Sequence, residues 1–393
     1  MYKQIFLKRG KEESLKRFHP WIFSGAIHHM DEGIEEGETV RVITAAGEFI
    51  AVGHYQIGSI AVRVLSFEDI EINTDFWCER LQSALDVRIG VGIADSPTNN
   101  TYRLVHGEGD YLPGLVIDCY GSTAVMQAHS VGMHVCRNEI CQALVQVMGD
   151  RIANVYYKSE TTLPYKADLH QENGFLVGGD ASNVAMENGL KFHIDWLRGQ
   201  KTGFFVDQRE NRSLLEHYAK GKSVLNMFCY TGGFSVYAMR GDAKQVHSVD
   251  SSAKAIELTN DNVALNFPGD ARHEAFCEDA FKYLDEHDQQ YDLIVLDPPA
   301  FAKHRAALRN ALKGYTRLNV KGLQRIKKGG ILFTFSCSQV VTKDNFRNAV
   351  FTAAAQVGRK VRILHQLHQP ADHPINIYHP EGEYLKGLVL YVE

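Results

Sequence analysis

The sequence predicts a multidomain α/β protein: a small β-rich, barrel-like module over residues 1–72, a central α+β domain over 73–185, and an open, mostly parallel sheet over 186–393. Three patterns carry this. From residue 186 onward, strand-length apolar runs begin near Val224, Val246, His273, Leu293, Ile331, Val361 and Tyr384. They alternate with helical stretches long enough to cross a sheet. Ahead of them, Thr39-Val-Arg-Val-Ile, Glu48-Phe-Ile-Ala-Val-Gly and Ile60-Ala-Val-Arg-Val-Leu are short β-branched runs cut by Gly47 and Gly58, which suits a compact barrel. Third, the strand from Val224 to Phe228 stops at Thr231-Gly232-Gly233. Helical apolar spacing then runs through Phe234, Val236, Tyr237, Ala238 and Met239.

Composition narrows the class. The chain has 393 residues, and no apolar run reaches the length of a membrane span. Met1-Tyr-Lys-Gln does not open a signal peptide, so a cytoplasmic protein with no membrane partner is expected. The seven cysteines, Cys78, Cys119, Cys136, Cys141, Cys229, Cys277 and Cys337, contain no C-x-x-C pair, which argues against a disulfide framework or a zinc site. The net charge of −5 does not advertise a nucleic-acid binder. Two segments do: Lys3 to Arg17, and Lys303 to Lys328, which carries Lys and Arg but no acid. Arg305, Arg309, Lys313, Arg317, Lys321 and Arg325 recur every four residues, a stripe that drifts about 40° per step around a helix. Such a stripe could guide a phosphate backbone, or simply be a solvated face.

In the N-terminal module, His19, Trp21 and Phe23 could stack on bases, although core packing explains them as well. In the central domain a helix from Asp75 to Gly90 is followed by two strands, a helix from Met133 to Met148 and a strand from Ile152 to Lys158. Glu108 and Asp110 read as a cleft lining or as a polar hairpin tip.

The chemistry concentrates at strand ends after residue 199. Gly232 and Gly233 let a ligand approach the backbone, and Val246-His-Ser-Val-Asp250 ends the next strand in a carboxylate placed for a ribose diol. The turn lacks both G-x-G-x-x-G and a phosphate-binding loop. That favours an adenosyl ligand without phosphate, which points to S-adenosylmethionine. Glu278 and Asp279 follow the third strand, where Asp279 could meet adenine or cap a helix. Lys201-Thr202-Gly203 precedes the sheet as a turn that could close over the cofactor, with Asp207 expected to cap the next helix.

Asp297-Pro298-Pro299-Ala300-Phe301 follows the strand Leu293-Ile-Val-Leu. Two prolines cannot continue a ladder, so they hold Asp297 at the sheet's rim, with Phe301 placed to stack on a flat heterocycle. The next strand ends in Ser336-Cys337-Ser338. If the two strands are neighbours, Asp297 and Cys337 open into one crevice, and a cysteine among polar groups is placed to react as a thiolate. Cys229, beside the glycine turn, is the second candidate.

Along nearly its whole length the chain resembles the 23S ribosomal RNA large-subunit methyltransferase I family. The matching pieces are HPWIFSGAI (19–27), RLVHGEGDYLPGLVID (103–118), GQKTGFFVDQRENR (199–212), VLNMFCYTGGFSV (224–236), DPPAF (297–301), TFSCS (334–338), ADHP and PEGEYLKG. The resemblance implies a PUA domain, a central domain, and a Rossmann-like class I methyltransferase sheet. It implies S-adenosylmethionine-dependent methylation of carbon 5 of a cytosine in 23S ribosomal RNA. By the same resemblance, Asn226, Phe228, Tyr230, Thr231, Asp250, Asp279 and Asp297 line the cofactor pocket and Cys337 is the nucleophile; Gly232 of the glycine turn, and Lys201, Thr202 and Gly203 as the turn that could close over the ligand, complete the expected cofactor-binding set from the residues themselves. Asp372 and His373 are candidates for the base that removes the carbon-5 proton, and a homodimer is a candidate assembly. The family carries Lys after the two prolines, where this chain has Ala300 with Lys303 nearby. Two rival functions fit many of the same residues: an amino-directed adenine or guanine methyltransferase, which needs no cysteine, and a non-catalytic RNA-binding protein.

Overall fold

The computed structural model describes residues 2–164, 169, 172–179, 181–302 and 304–393. They form two compact units. The first comprises Met1–Asn188, Ile194–Val206 and Ala371–Gly382, and the second Gly189–His193, Asp207–Pro370 and Glu383–Glu393.

The first unit opens with six strands: β1 (Gln4–Leu7), β2 (Trp21–Phe23), β3 (Ile27–Met30), β4 (Thr39–Ile43), β5 (Phe49–Tyr55) and β6 (Ile60–Ser66). They hydrogen-bond in the order β2-β6-β5-β4-β1-β3. Sequence patterning anticipates β4 to β6. The shorter β1 to β3 come from the basic and aromatic segment, too brief to show a period. Ile5, Leu7, Val40, Val42, Ala51, Val62 and Val64 alternate inward to form this core.

Helix α1 (Thr74–Gly90) starts at Asn73, whose side chain accepts from the Phe76 N–H. A five-stranded sheet follows in the order β11-β10-β9-β8-β7. Its members are β7 (Thr101–His106), β8 (Leu115–Tyr120), β9 (Thr123–Ala128), β10 (Asn154–Tyr157) and β11 (Gly174–Val177). The expected helix from Met133 is two pieces, α2 (Val131–Val135) and α3 (Arg137–Met148), divided at Cys136. Trp77, Leu81, Met126 and Leu144 are fully buried between helices and sheet. The short strand β12 (Val184–Glu187) completes the regular structure up to Asn188.

In the second unit, β13 (Leu190–His193) and α4 (Arg209–Ala219) precede the alternating fold. That fold runs β14 (Ser223–Met227), α5 (Gly233–Arg240), β15 (Gln245–Asp250), α6 (Ala253–Asn266), β16 (His273–Cys277), α7 (Ala280–Glu286), β17 (Tyr291–Leu296), α8 (Leu308–Arg325), β18 (Ile326–Ser336), α9 (Lys343–Val357), β19 (Val361–Leu367) and β20 (Lys386–Val392). The seven strands from β14 pair in the order β16-β15-β14-β17-β18-β20-β19, and β20 runs antiparallel to both neighbours. The chain steps outward from β14 to β16, then returns to β17 on the other side. This reversal opens a crevice beyond the carboxyl ends of β14 and β17, where open α/β sheets bind ligands.

Helix α8 shows how the sheet is covered. Ala311, Tyr315, Leu318, Gly322 and Leu323 form its buried face. Each large apolar side chain among them contributes roughly 1.5–3 kcal/mol of burial. Gly322 is needed for the close approach, since a Cβ there would lie 2.8 Å from Leu296 Cδ1. Among the described residues no helix is long and apolar enough to cross a membrane.

Candidate active site

The turn after β14 is built from unusual backbone. Phe228, Tyr230 and Gly232 have φ of 58°, 47° and 75°. For the two non-glycine residues this left-handed conformation costs of order 1–3 kcal/mol each, the kind of strain that gathers where a backbone is shaped for a ligand. Gly232 could not be replaced freely, because a Cβ would meet Thr259 Cγ2 at 2.7 Å. Helix α6 holds the turn from behind. Thr259 Oγ1 donates to the Tyr230 carbonyl at 2.8 Å, and Asn262 Nδ2 donates to the Thr231 carbonyl at 2.9 Å.

Asp250, at the end of β15, closes the turn. One carboxylate oxygen accepts from the Tyr230 N–H at 3.0 Å and the other from the Ser252 N–H at 2.9 Å. Its first task is therefore to fix the turn, and each oxygen keeps a second lone pair for a hydroxyl. Asp279 is the N-cap of α7, accepting at one oxygen from the Phe281 and Lys282 N–H groups, so the capping reading of this residue is realised. Asn226 is buried and donates to Ser235 Oγ at 2.9 Å. Ser235 Oγ meets Ser248 Oγ at 2.6 Å, and Ser248 Oγ meets His273 Nε2 at 2.8 Å. Burial pushes the His273 imidazolium down to about 4, so this polar chain under the turn holds a neutral ring at pH 7. Patterning missed the chain because Ser235, Ser248 and His273 lie on three different elements.

Asp297 follows β17, whose register against β18 pairs Leu296 with Thr334. Gln208 Nε2 donates to Asp297 Oδ2 at 2.9 Å, and Asn211 Nδ2 donates to Gln208 Oε1 at 2.6 Å. Burial first, and then the Asp207 carboxylate, push the Asp297 carboxyl up to about 7, against the Gln208 hydrogen bond and the Arg212 cation. Asp207 does not cap α4. The cap position is Gln208, without a side-chain bond, and Asp207 Oδ2 instead accepts from the Tyr384 hydroxyl at 2.6 Å. The sequence signal was present in the polar run Asp207-Gln-Arg-Glu-Asn-Arg, in which Gln208, Arg209, Asn211 and Arg212 are buried.

Cys337 lies just past β18, half-buried, and its Sγ donates to the Pro298 carbonyl at 3.9 Å. The thiol therefore lies against the backbone that immediately follows Asp297. The flanking hydroxyls are structural. Ser336 Oγ donates to Tyr315 Oη at 2.9 Å, and Ser338 Oγ donates to the Ala302 carbonyl at 2.6 Å, which ties the segment after Asp297 to β18. Burial pushes the Tyr315 phenol up to about 12, with the Cys337 and Asp297 charges acting in the same direction. The Phe301 ring lies 4.6 Å from that of Tyr315, tilted by 37°, so it packs on α8.

The polar group that sequence reasoning missed is Lys386. It lies opposite Ser336 in the β18–β20 ladder, is 5% exposed, and donates to the Ser338 carbonyl at 2.6 Å. Burial pushes its ammonium down to about 8, and the Cys337 charge favours the protonated form. Cys229 differs from Cys337: it is buried against Thr259, and burial pushes its thiol up to about 12.

Most of the remaining candidates belong to the first unit. Thr202 is fully buried, donating to Asp118 Oδ2 at 2.6 Å, and Lys201 is exposed with φ of 53°. A Cβ on Gly203 would lie 2.8 Å from the Asp195 carbonyl carbon, so the turn packs on its own chain. Asp372 and His373 are buried, and Asp372 accepts from the Arg103 N–H at 3.0 Å. Glu108 and Asp110 lie in the connection of the β7–β8 hairpin, where Asp110 pairs with the fully buried Arg88 and Glu108 accepts from Trp21 Nε1 at 2.8 Å. Phe23 is 50% exposed, whereas Trp21 packs 4.2 Å from His379. Lys303 lies outside the described residues. Among the described residues no cluster of His, Cys, Asp and Glu could hold a metal ion.

A family profile for S-adenosylmethionine-dependent methyltransferases matches residues 170–376, and one for PUA-like domains matches residues 5–67. Curated relatives named ribosomal RNA large subunit methyltransferase I are similar over full length. The Alteromonas mediterranea protein is 39% identical, covering 100% of this chain and 99% of its own, and that of Vibrio parahaemolyticus is 40% identical, covering 100% of both. Among solved structures, a protein assigned as a SAM-dependent methyltransferase from Streptococcus mutans aligns with a TM-score of 0.84 at 25% identity, over 99% of both chains. Another methyltransferase structure, complexed with SAH, aligns with a TM-score of 0.85 at 25% identity, again over 99% of both chains.

Proposed function

The chain belongs to the ribosomal RNA large subunit methyltransferase I family of S-adenosylmethionine-dependent methyltransferases, and from that premise we propose that it methylates carbon 5 of a cytosine in large-subunit ribosomal RNA through a covalent adduct of Cys337. The observation that supports this best is the placement of Cys337 Sγ 3.9 Å from the Pro298 carbonyl, next to a carboxyl raised to about 7 and a buried ammonium.

The turn residues fit the cofactor. Phe228, Tyr230, Thr231, Gly232, Asp250 and Asp279 would hold it with Asn226 beneath. When bound, S-adenosylmethionine supplies an electrophilic methyl on a sulfonium.

Carbon 5 of cytosine is too weak a nucleophile to take that methyl unaided. The Cys337 thiolate, whose charge the Lys386 ammonium would offset, adds to carbon 6, forming a carbon–sulfur bond and moving the C5–C6 π pair onto carbon 5. Asp297, whose carboxyl is raised by burial to about 7, gives its proton to N3 as that negative charge develops. Carbon 5 then takes the methyl. Loss of the carbon-5 proton to a base rebuilds the C5–C6 double bond, the thiolate leaves, and N3 returns its proton to Asp297. The target base must leave its stack to reach Cys337, at roughly a few kcal/mol.

The test uses ribosomal RNA carrying 5-fluorocytidine. Fluorine cannot leave as a proton, so the adduct should persist on the peptide containing Cys337 and be read by mass spectrometry. Methylation of an exocyclic amine with no adduct would instead establish the amino-directed chemistry.

A further inference from the structure

We propose that the groove between α8 and α9 binds the phosphodiester backbone of RNA flanking the target base, through Arg309, Lys313 and Arg317. This rests on RNA being the substrate and adds a second contact surface on the same unit. The groove is open, with a volume of about 690 Å³, and its lining includes these three cations and no carboxylate.

The stripe of cations along α8 is not one surface. Because a four-residue repeat drifts about 40° per step, its later members turn toward α7. There Lys321 pairs with Asp285 of that helix, and Arg325 with Asp288 just past its end, at 3.0 Å. Arg309, Lys313 and Arg317 come earlier, are exposed, and have no carboxylate within ion-pair distance among the described residues. They rise about 6 Å from one to the next, close to the separation of successive phosphates along a strand. Arg317 stands at the division: it lines the groove, while its guanidinium rests 4.7 Å over the Phe281 ring of α7.

The opposite wall, from α9, presents Asn345, Asn348 and Gln356. Amides both donate and accept, which suits ribose hydroxyls and base edges rather than a purely anionic ligand. In a chain of net charge −5, overall charge does not draw a polyanion, so attraction depends on such a local patch. The inner face of the same helix carries Tyr315, whose hydroxyl accepts from Ser336 beside Cys337. RNA held on the outer face is thereby tied, through one rigid element, to the strand end that takes the base.

The experiment compares the full chain with an R309Q/K313Q/R317Q variant, using fluorescence anisotropy with a large-subunit RNA fragment across a salt series. Three lost phosphate contacts should make the slope of log affinity against log salt shallower by about 2, and weaken binding roughly 100-fold at 0.1 M salt. KM for RNA should rise far more than kcat falls, while calorimetric S-adenosylmethionine affinity and the thermal midpoint hold. R317K should retain most of the affinity, because it keeps the charge. An unchanged slope and affinity in the triple variant would overturn the proposal and leave the groove to an acidic protein. If the wild-type chain neither binds nor methylates RNA, the proposed function falls together with the groove; if it methylates RNA and only the slope fails to change, the groove alone falls.

Discussion

Lys386 donates a 2.6 Å hydrogen bond to the carbonyl of Ser338, the residue immediately after Cys337. A buried ammonium is thus pinned beside a half-buried thiol by the antiparallel pairing of β18 and β20. A neighbouring cation lowers the cost of forming a thiolate.

Lys386→Met keeps the length of the side chain and removes the charge. Alkylation of Cys337 by iodoacetamide should then need a higher pH, and kcat should fall by about 10²-fold or more. An alkylation profile unchanged in pH would show that the lysine only braces the strand.

Cys337→Ala should abolish methyl transfer while leaving S-adenosylmethionine affinity intact, measured by calorimetry. Retained turnover would rule out the covalent route. In the unmodified chain, alkylation should reach Cys337 well before Cys229, whose thiol burial holds near 12.

Asp297 predicts a pH signature of defined sign. Its folded pKa of about 7 lies above the ordinary carboxyl value of about 3.9, so the native state binds the extra proton between the two. Stability should therefore decline as pH rises from about 4 to about 7 and then level off. Asp297→Asn should lack that decline in thermal melts. If the acid form is the working one, kcat should also fall as pH rises through about 7, and the Asn variant should lose about 10²- to 10⁴-fold in rate along with this titration.

Gly232→Ala forces a side chain into positive φ and against Thr259 Cγ2. We expect a loss of about 2 kcal/mol in stability and weaker S-adenosylmethionine binding, read by denaturant unfolding and calorimetry.

Asp250→Asn should weaken cofactor binding by about 10- to 100-fold, because an amide NH₂ would face a backbone N–H that the carboxylate now accepts. Unchanged affinity would mean that neither the turn nor a ribose depends on this carboxylate.

Read alone, the chain already specifies the strand–helix alternation, the glycine turn at Gly232, and the placing of Asp297 and Cys337 at the ends of consecutive strands. Each of these is written in local periodicity and in residues with restricted backbones, and so can be read without knowing what packs where. Tertiary structure decided what those groups face. It placed Gln208 on Asp297 and Lys386 beside Cys337, turned Ser336 and Ser338 into braces, moved Asp207 from helix cap to Tyr384 partner, and divided one cationic stripe between α7 and an open groove. Those outcomes depend on strand register and helix rotation between distant segments, and on which polar groups become buried, which no local pattern encodes.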